Sequence, residues 1–112
     1  MQYKLQRVDD AVVVLLEGKL LSEQETALIK NNIALEISGG QKKFIIDLKG
    51  MEFVNSSCLN FLVSTKNLVT EKGGVIVLCN INDQLNRLLE VTKLQSYFVI
   101  AGKTSDALSM LQ

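Results

Sequence analysis

Histidine, proline and tryptophan are all missing from this chain of 112 residues, and cysteine occurs only twice. Without histidine, every Ser-His or Cys-His mechanism and every His-ligated metal site is excluded. Without proline, a loop-rich or linker-bearing chain is disfavoured, so residues 1–112 read as one compact domain. Cys58 and Cys79 fall in different elements and match no metal-ligand spacing, and in a reducing compartment they are not expected to pair. An excess of one charge is missing too. Twelve basic residues balance twelve acidic ones, which gives no electrostatic case for nucleic acid or anionic lipid as a partner. The longest apolar run, Ala11 to Leu16, is far short of the ~20 residues of a span, so no membrane insertion is expected. The opening MQYKLQRVDD carries no apolar signal segment, which points to the cytoplasm.

What is present is ordinary globular composition, 47% apolar and 21% charged, in a chain long enough to bury a core. Tyr3 to Arg7 alternates as an edge strand does, Asp9-Asp10 is a turn signal, and the β-branched run from Ala11 to Leu16 suits a strand buried on both faces. These predict an opening antiparallel hairpin. Ser22 with Glu25 forms a capping box for a helix running to about Ser38 and ended by Gly39-Gly40. That helix carries two apolar stripes, Ile29, Ile33, Ile37 and Leu28, Leu35. One should face the sheet, and the second either widens the core face or makes a contact surface.

Phe44, Ile45 and Ile46 predict a buried strand ending at Asp47. A helix follows from Ser56 or Ser57 to about Lys72, with Cys58, Leu62 and Val69 opposite a polar face of Asn60, Ser64, Asn67 and Glu71. Gly73-Gly74 ends it. Val75 to Cys79 is another buried strand, Asn82 caps a helix with Leu85, Leu88 and Leu89 at core spacing, and Tyr97 to Ile100 is a last short strand. Thr104 is expected to cap a terminal helix with Ala107, Leu108 and Leu111 inward. The order ββαβαβαβα predicts an α/β fold: a mixed sheet of four to five strands, largely parallel, flanked by about four helices.

Chemistry can collect at the junction between the Phe44 strand and the Ser56 helix, because a helix N-terminus presents unpaired N–H groups. Ser56 and Ser57 sit there, where Ser and Asn are also simply good caps. Cys58 reads as a small packed residue, since no cationic or histidine neighbour in sequence would activate it. Asp47 reads as a strand-end carboxylate bonding loop N–H groups. No phosphate loop and no metal-ligand set is present, so no cofactor is expected and an enzyme is not.

The segment Asn55-Ser56-Ser57-Cys58-Leu59, preceded by Ile45-Ile46-Asp47-Leu48 and Met51-Glu52-Phe53-Val54, resembles the STAS family, which includes bacterial anti-sigma-factor antagonists. Those have an Asp-Ser-Ser-Gly-Leu corner between strand and helix. Glu17-Gly18-Lys19-Leu20, Lys72-Gly73-Gly74 and Leu88-Leu89-Glu90-Val91-Thr92 match in order and spacing, so the resemblance covers essentially the whole chain. It implies a binding module whose first serine, Ser56, accepts phosphate from an anti-sigma-type serine kinase and is restored by a phosphatase. The implied contact patch is Asn55, Ser56, Ser57 and Cys58 with Leu20, Leu21 and Ser22, and a homodimer is left open. Asn55, Cys58 and Leu21 replace the family's Asp, Gly and Asp, making the corner less acidic and more apolar. The alternative is a STAS scaffold that is not phosphorylated, or a subunit of a lipid-transport ABC complex.

Overall fold

The computed structural model describes residues 2–18, 23–51 and 56–111. Nine elements follow in the order expected: β1 (Gln2–Val8), β2 (Ala11–Gly18), α1 (Glu23–Ser38), β3 (Lys43–Met51), α2 (Ser56–Glu71), β4 (Val75–Cys79), α3 (Asp83–Thr92), β5 (Val99–Ala101) and α4 (Thr104–Met110). One five-stranded sheet has the spatial order β1-β2-β3-β4-β5. β1 and β2 form the antiparallel hairpin, turning at Asp9, which takes the left-handed φ of 55° that a tight turn demands and that Asp tolerates. The remaining neighbours are parallel, each pair joined through a helix.

Strand side chains alternate between two layers. Val12, Val14, Leu16, Phe44, Ile46, Ile76 and Leu78 pack under α1, α2 and α3, whose Ile29, Ile33, Leu62, Val69, Leu85 and Leu89 are fully buried. The opposite face, with Ala11, Val13, Ile45, Val77 and Cys79, is covered by α4 through Ala107, with Leu108 and Leu111 half-buried beside it. This double cover explains why β2 reads as a continuous apolar run rather than an alternating one.

Most local signals are realised. Asn82 caps α3 by accepting a hydrogen bond from Leu85 N at 2.8 Å. Gly40 (φ 99°) and Gly73 (φ 80°) end α1 and α2 in the left-handed conformation, with Gly74 N bonded back to Val69 O at 2.9 Å. Leu28 and Leu35 are 54% and 69% exposed, so the second stripe of α1 is surface and not core. Ser22, half of the expected capping box, lies outside the described residues.

Three boundaries differ. β3 runs on past Asp47 to Met51, because a shifted register lets Gly50 and Met51 pair with Glu17 and Gly18. β5 starts at Val99, since Tyr97 turns away to bond Asn67 of α2 and to lie under Lys66 Nζ at 4.8 Å. Thr104 does not cap α4. The N-cap is Lys103, and the Thr104 hydroxyl donates to Asp47 Oδ2 at 3.1 Å, where a bond to a buried carboxylate outweighs a local cap. No helix among the described residues is long and apolar enough to cross a membrane.

Candidate functional site

Helix α2 begins at Ser56, and its first turn sets two exposed hydroxyls above two buried side chains. The apolar stripe Cys58, Leu62, Thr65, Val69 has the 4-3-4 spacing of one helix face, and all four are buried against the sheet. Leu59 and Phe61 widen that face. The same geometry turns Ser56 and Ser57 outward. Sixteen residues of aligned peptide dipoles end there, with no acidic side chain in the first turn to satisfy the positive pole.

Ser57 also lines an open groove of about 360 Å³ between α1 and α2. Glu23, Thr26, Ala27 and Lys30 form one wall, and Asn60, Phe61 and Ser64 the other. Thr26 and Ser64 turn their hydroxyls back onto their own helices, donating to Glu23 O at 2.9 Å and Phe61 O at 3.2 Å. Lys30 and Thr26 carry no sequence mark for this role; they reach Ser57 only because α1 and α2 pack side by side.

Of the expected contact patch, Ser56 and Ser57 are at the surface and adjacent. Cys58, expected among the contact residues, is instead 1% exposed and faces the core, because the Cys58, Leu62, Val69 stripe packs against the sheet. Burial pushes its thiol up to about 11, and that of Cys79 likewise to about 11, so both stay protonated at neutral pH. Asn55, Leu20, Leu21 and Ser22 lie outside the described residues. The sheet register nonetheless brings their neighbours together: Gly18 pairs with Met51, so segments 19–22 and 52–55 start from adjacent residues.

Asp47 is buried at the end of the straight part of β3. Its Oδ1 accepts from Lys49 N at 2.9 Å, as a strand-end Asp was expected to do, and also from Asn80 Nδ2 at 2.9 Å. Among the described residues, no group of three or more Cys, Asp or Glu side chains is placed to hold a metal ion.

Comparison with known proteins agrees with this architecture. The family model of the STAS domain matches residues 2–108. An anti-sigma F factor antagonist of Paenibacillus polymyxa is 24% identical over 113 residues, spanning 100% of this chain and 96% of that protein. A chain of the stressosome, described as a signal integration and transduction hub, superposes with a TM-score of 0.82 at 25% identity, covering 96% of this chain and 95% of its own. The Bacillus cell-fate determinant SpoIIAA, in its phosphorylated form, superposes with a TM-score of 0.77 at 18% identity over 99% of this chain and all of that one, a likeness of fold. With a family model spanning residues 2–108, nearly the whole chain, this chain belongs to the STAS domain family.

Proposed function

We propose that this chain is an anti-sigma-factor antagonist-type binding module, working in the cytoplasm in a bacterial partner-switching pathway and controlled by phosphorylation of Ser56. The observation that carries the reading is the first turn of α2: an exposed hydroxyl at the positive end of a sixteen-residue helix, held in place by buried Cys58 and Leu59 beneath it. The partner is an anti-sigma-type serine kinase that docks on the Ser56–Ser57 end of α2 and on the 19–22 and 52–55 segments. A phosphatase resets the switch.

The physics of the switch needs no catalytic group in this chain. Transfer of a phosphoryl group to Ser56 Oγ adds about −1.5 to −2 charges. On the free protein those charges face the positive end of the α2 helix dipole, and are tolerated. In a docked, desolvated interface the same charges have lost their water, and binding is opposed. One modification then separates the partners while the fold stays as it was. This is a regulatory role and not an enzymatic one, consistent with a sequence that holds no histidine.

The likeness to a stressosome chain supports a second reading, a constitutive STAS scaffold in a larger assembly. The exposed Leu28 and Leu35 on α1 offer it an uncommitted apolar surface. Intact mass of the protein isolated from its native host, beside a Ser56→Ala version, decides between the two. A phosphate on the former and not the latter is expected. Its absence under both growth and stress conditions would overturn the switch and leave the scaffold.

A further inference from the structure

We propose that Asp47 is a positioning residue for the Ser56 corner, and that it couples this corner to α4 on the opposite face of the sheet. The proposal rests on the reading of the α2 N-terminus as the docking end. Aspartate is a poor strand residue, and a carboxylate only 6% exposed loses its hydration, so its place in the middle of β3 requires compensation. Three donors supply it: Lys49 N and Asn80 Nδ2 to Oδ1, each at 2.9 Å, and Thr104 Oγ1 to Oδ2 at 3.1 Å.

Each donor belongs to a different piece of structure. Lys49 lies in a β-bulge. Leu15 pairs with Asp47 but Glu17 with Gly50, so β3 spends three steps where β2 spends two. A bulge leaves backbone groups without ladder partners, and Asp47 takes up one of them, the Lys49 N–H. Beyond the bulge, pairing resumes as Glu17–Gly50 and Gly18–Met51. Because side chains alternate with a period of two, a slip of one residue would send Met51 out of the core under α1 to α3, where it is buried, to the other face. Asp47 therefore fixes where Met51 ends, five residues before Ser56.

Asn80 follows β4 and holds a left-handed φ of 55°, a conformation its bond to Asp47 helps to retain. Thr104 opens α4. Its hydroxyl also lies 3.6 Å from Cys79 Sγ, so the end of β4, the start of α4 and the bulge of β3 meet on one carboxylate. A displacement of α4 is transmitted to the bulge through Oδ2, and from the bulge to the start of the 52–55 segment.

The test compares the full chain with Asp47→Ala, Asp47→Asn and Thr104→Val, using amide hydrogen exchange and 1H–15N spectra. Asp47→Ala is expected to raise exchange at Lys49 to Met51 and at Gly18 by about tenfold, the effect of losing one charge-assisted hydrogen bond, and to shift the Ser56 and Ser57 amide signals while α1 and α3 keep theirs. Asp47→Asn is expected to restore both, since its oxygen still accepts from Lys49 and its amide group can donate to Thr104. Thr104→Val is expected to shift Ser56 and Ser57 with the bulge still protected. Uniform change across all elements in Asp47→Ala, without rescue by Asp47→Asn, would overturn the positioning role. Unmoved Ser56 and Ser57 signals in Thr104→Val would overturn the coupling, and this variant also decides the matter if Asp47→Ala does not fold. None of these readouts involves phosphate, so an unphosphorylated Ser56 in the native host fails the functional reading and leaves this one standing.

Discussion

Replacing Thr65 with valine should make this protein more stable. Thr65 sits in the buried stripe of α2 between Leu62 and Val69, fully covered, and its Oγ1 has no hydrogen-bond partner among the described residues. A buried hydroxyl left unpaired costs about 1–3 kcal/mol relative to its hydrated state in the unfolded chain. Valine has nearly the same shape, replaces the hydroxyl with a methyl worth about 0.8 kcal/mol on burial, and has about the same helix propensity. Fitting a methyl where the hydroxyl sat costs part of this in packing, so the net expectation for Thr65→Val is a gain of about 1–2 kcal/mol. Thr65→Ser keeps the hydroxyl but deletes the methyl and should lose about 1 kcal/mol. Urea unfolding followed by far-UV circular dichroism reads the series directly. The valine midpoint should rise by about 1 M with unchanged slope, and the serine midpoint should fall. In a thermal scan the valine gain corresponds to roughly 5 °C. A valine variant less stable than the parent would refute the reasoning, because it would mean that the hydroxyl is satisfied in the folded chain and that its bond was lost.

Two further outcomes follow from the packing. Gly74→Ala would bring a Cβ to 2.7 Å from Lys42 O and 2.8 Å from Val69 Cγ1, and one of those contacts is backbone, so a loss of about 1–3 kcal/mol in urea unfolding is expected; an unchanged midpoint would mean that the α2–β4 turn relaxes freely. Cys58 and Cys79, both raised to about 11 by burial, should react with a thiol reagent at neutral pH only after denaturant is added. The sign of the linked stability follows from the same shift. The unfolded chain releases these protons near the ordinary thiol value of 9.0 while the folded chain keeps them, so their contribution is intact below that pH and is lost as pH rises toward 11. Rapid alkylation of either thiol in the native protein at pH 7 would contradict the burial.

The elements were legible in the sequence because their signals are local. The Val12–Val14 run, the Asn82 cap, the Gly39-Gly40 and Gly73-Gly74 stops and the Cys58, Leu62, Val69 stripe each act within one or two turns of chain. The start of α2 at Ser56 was legible for the same reason, since a strand running into a helix announces where the helix N-terminus lies. Asp47 was readable as a carboxylate bonding a nearby N–H, and Lys49 is two residues away.

What the sequence could not settle depended on partners far along the chain. Thr104 reads as a cap until Asp47, 57 residues earlier, offers its hydroxyl a stronger acceptor. Leu28 and Leu35 have the spacing of a core stripe, yet only the packing of Ile29 and Ile33 under α1 leaves them outside. Lys30 and Thr26 join Ser57 in a groove because two helices separated by β3 lie side by side on one face. The chain by itself determined which segments form strands and helices, since propensity, capping and hydrophobic period are properties of neighbours. Tertiary structure alone decided which polar groups meet, because a buried carboxylate takes its donors from wherever the fold delivers them.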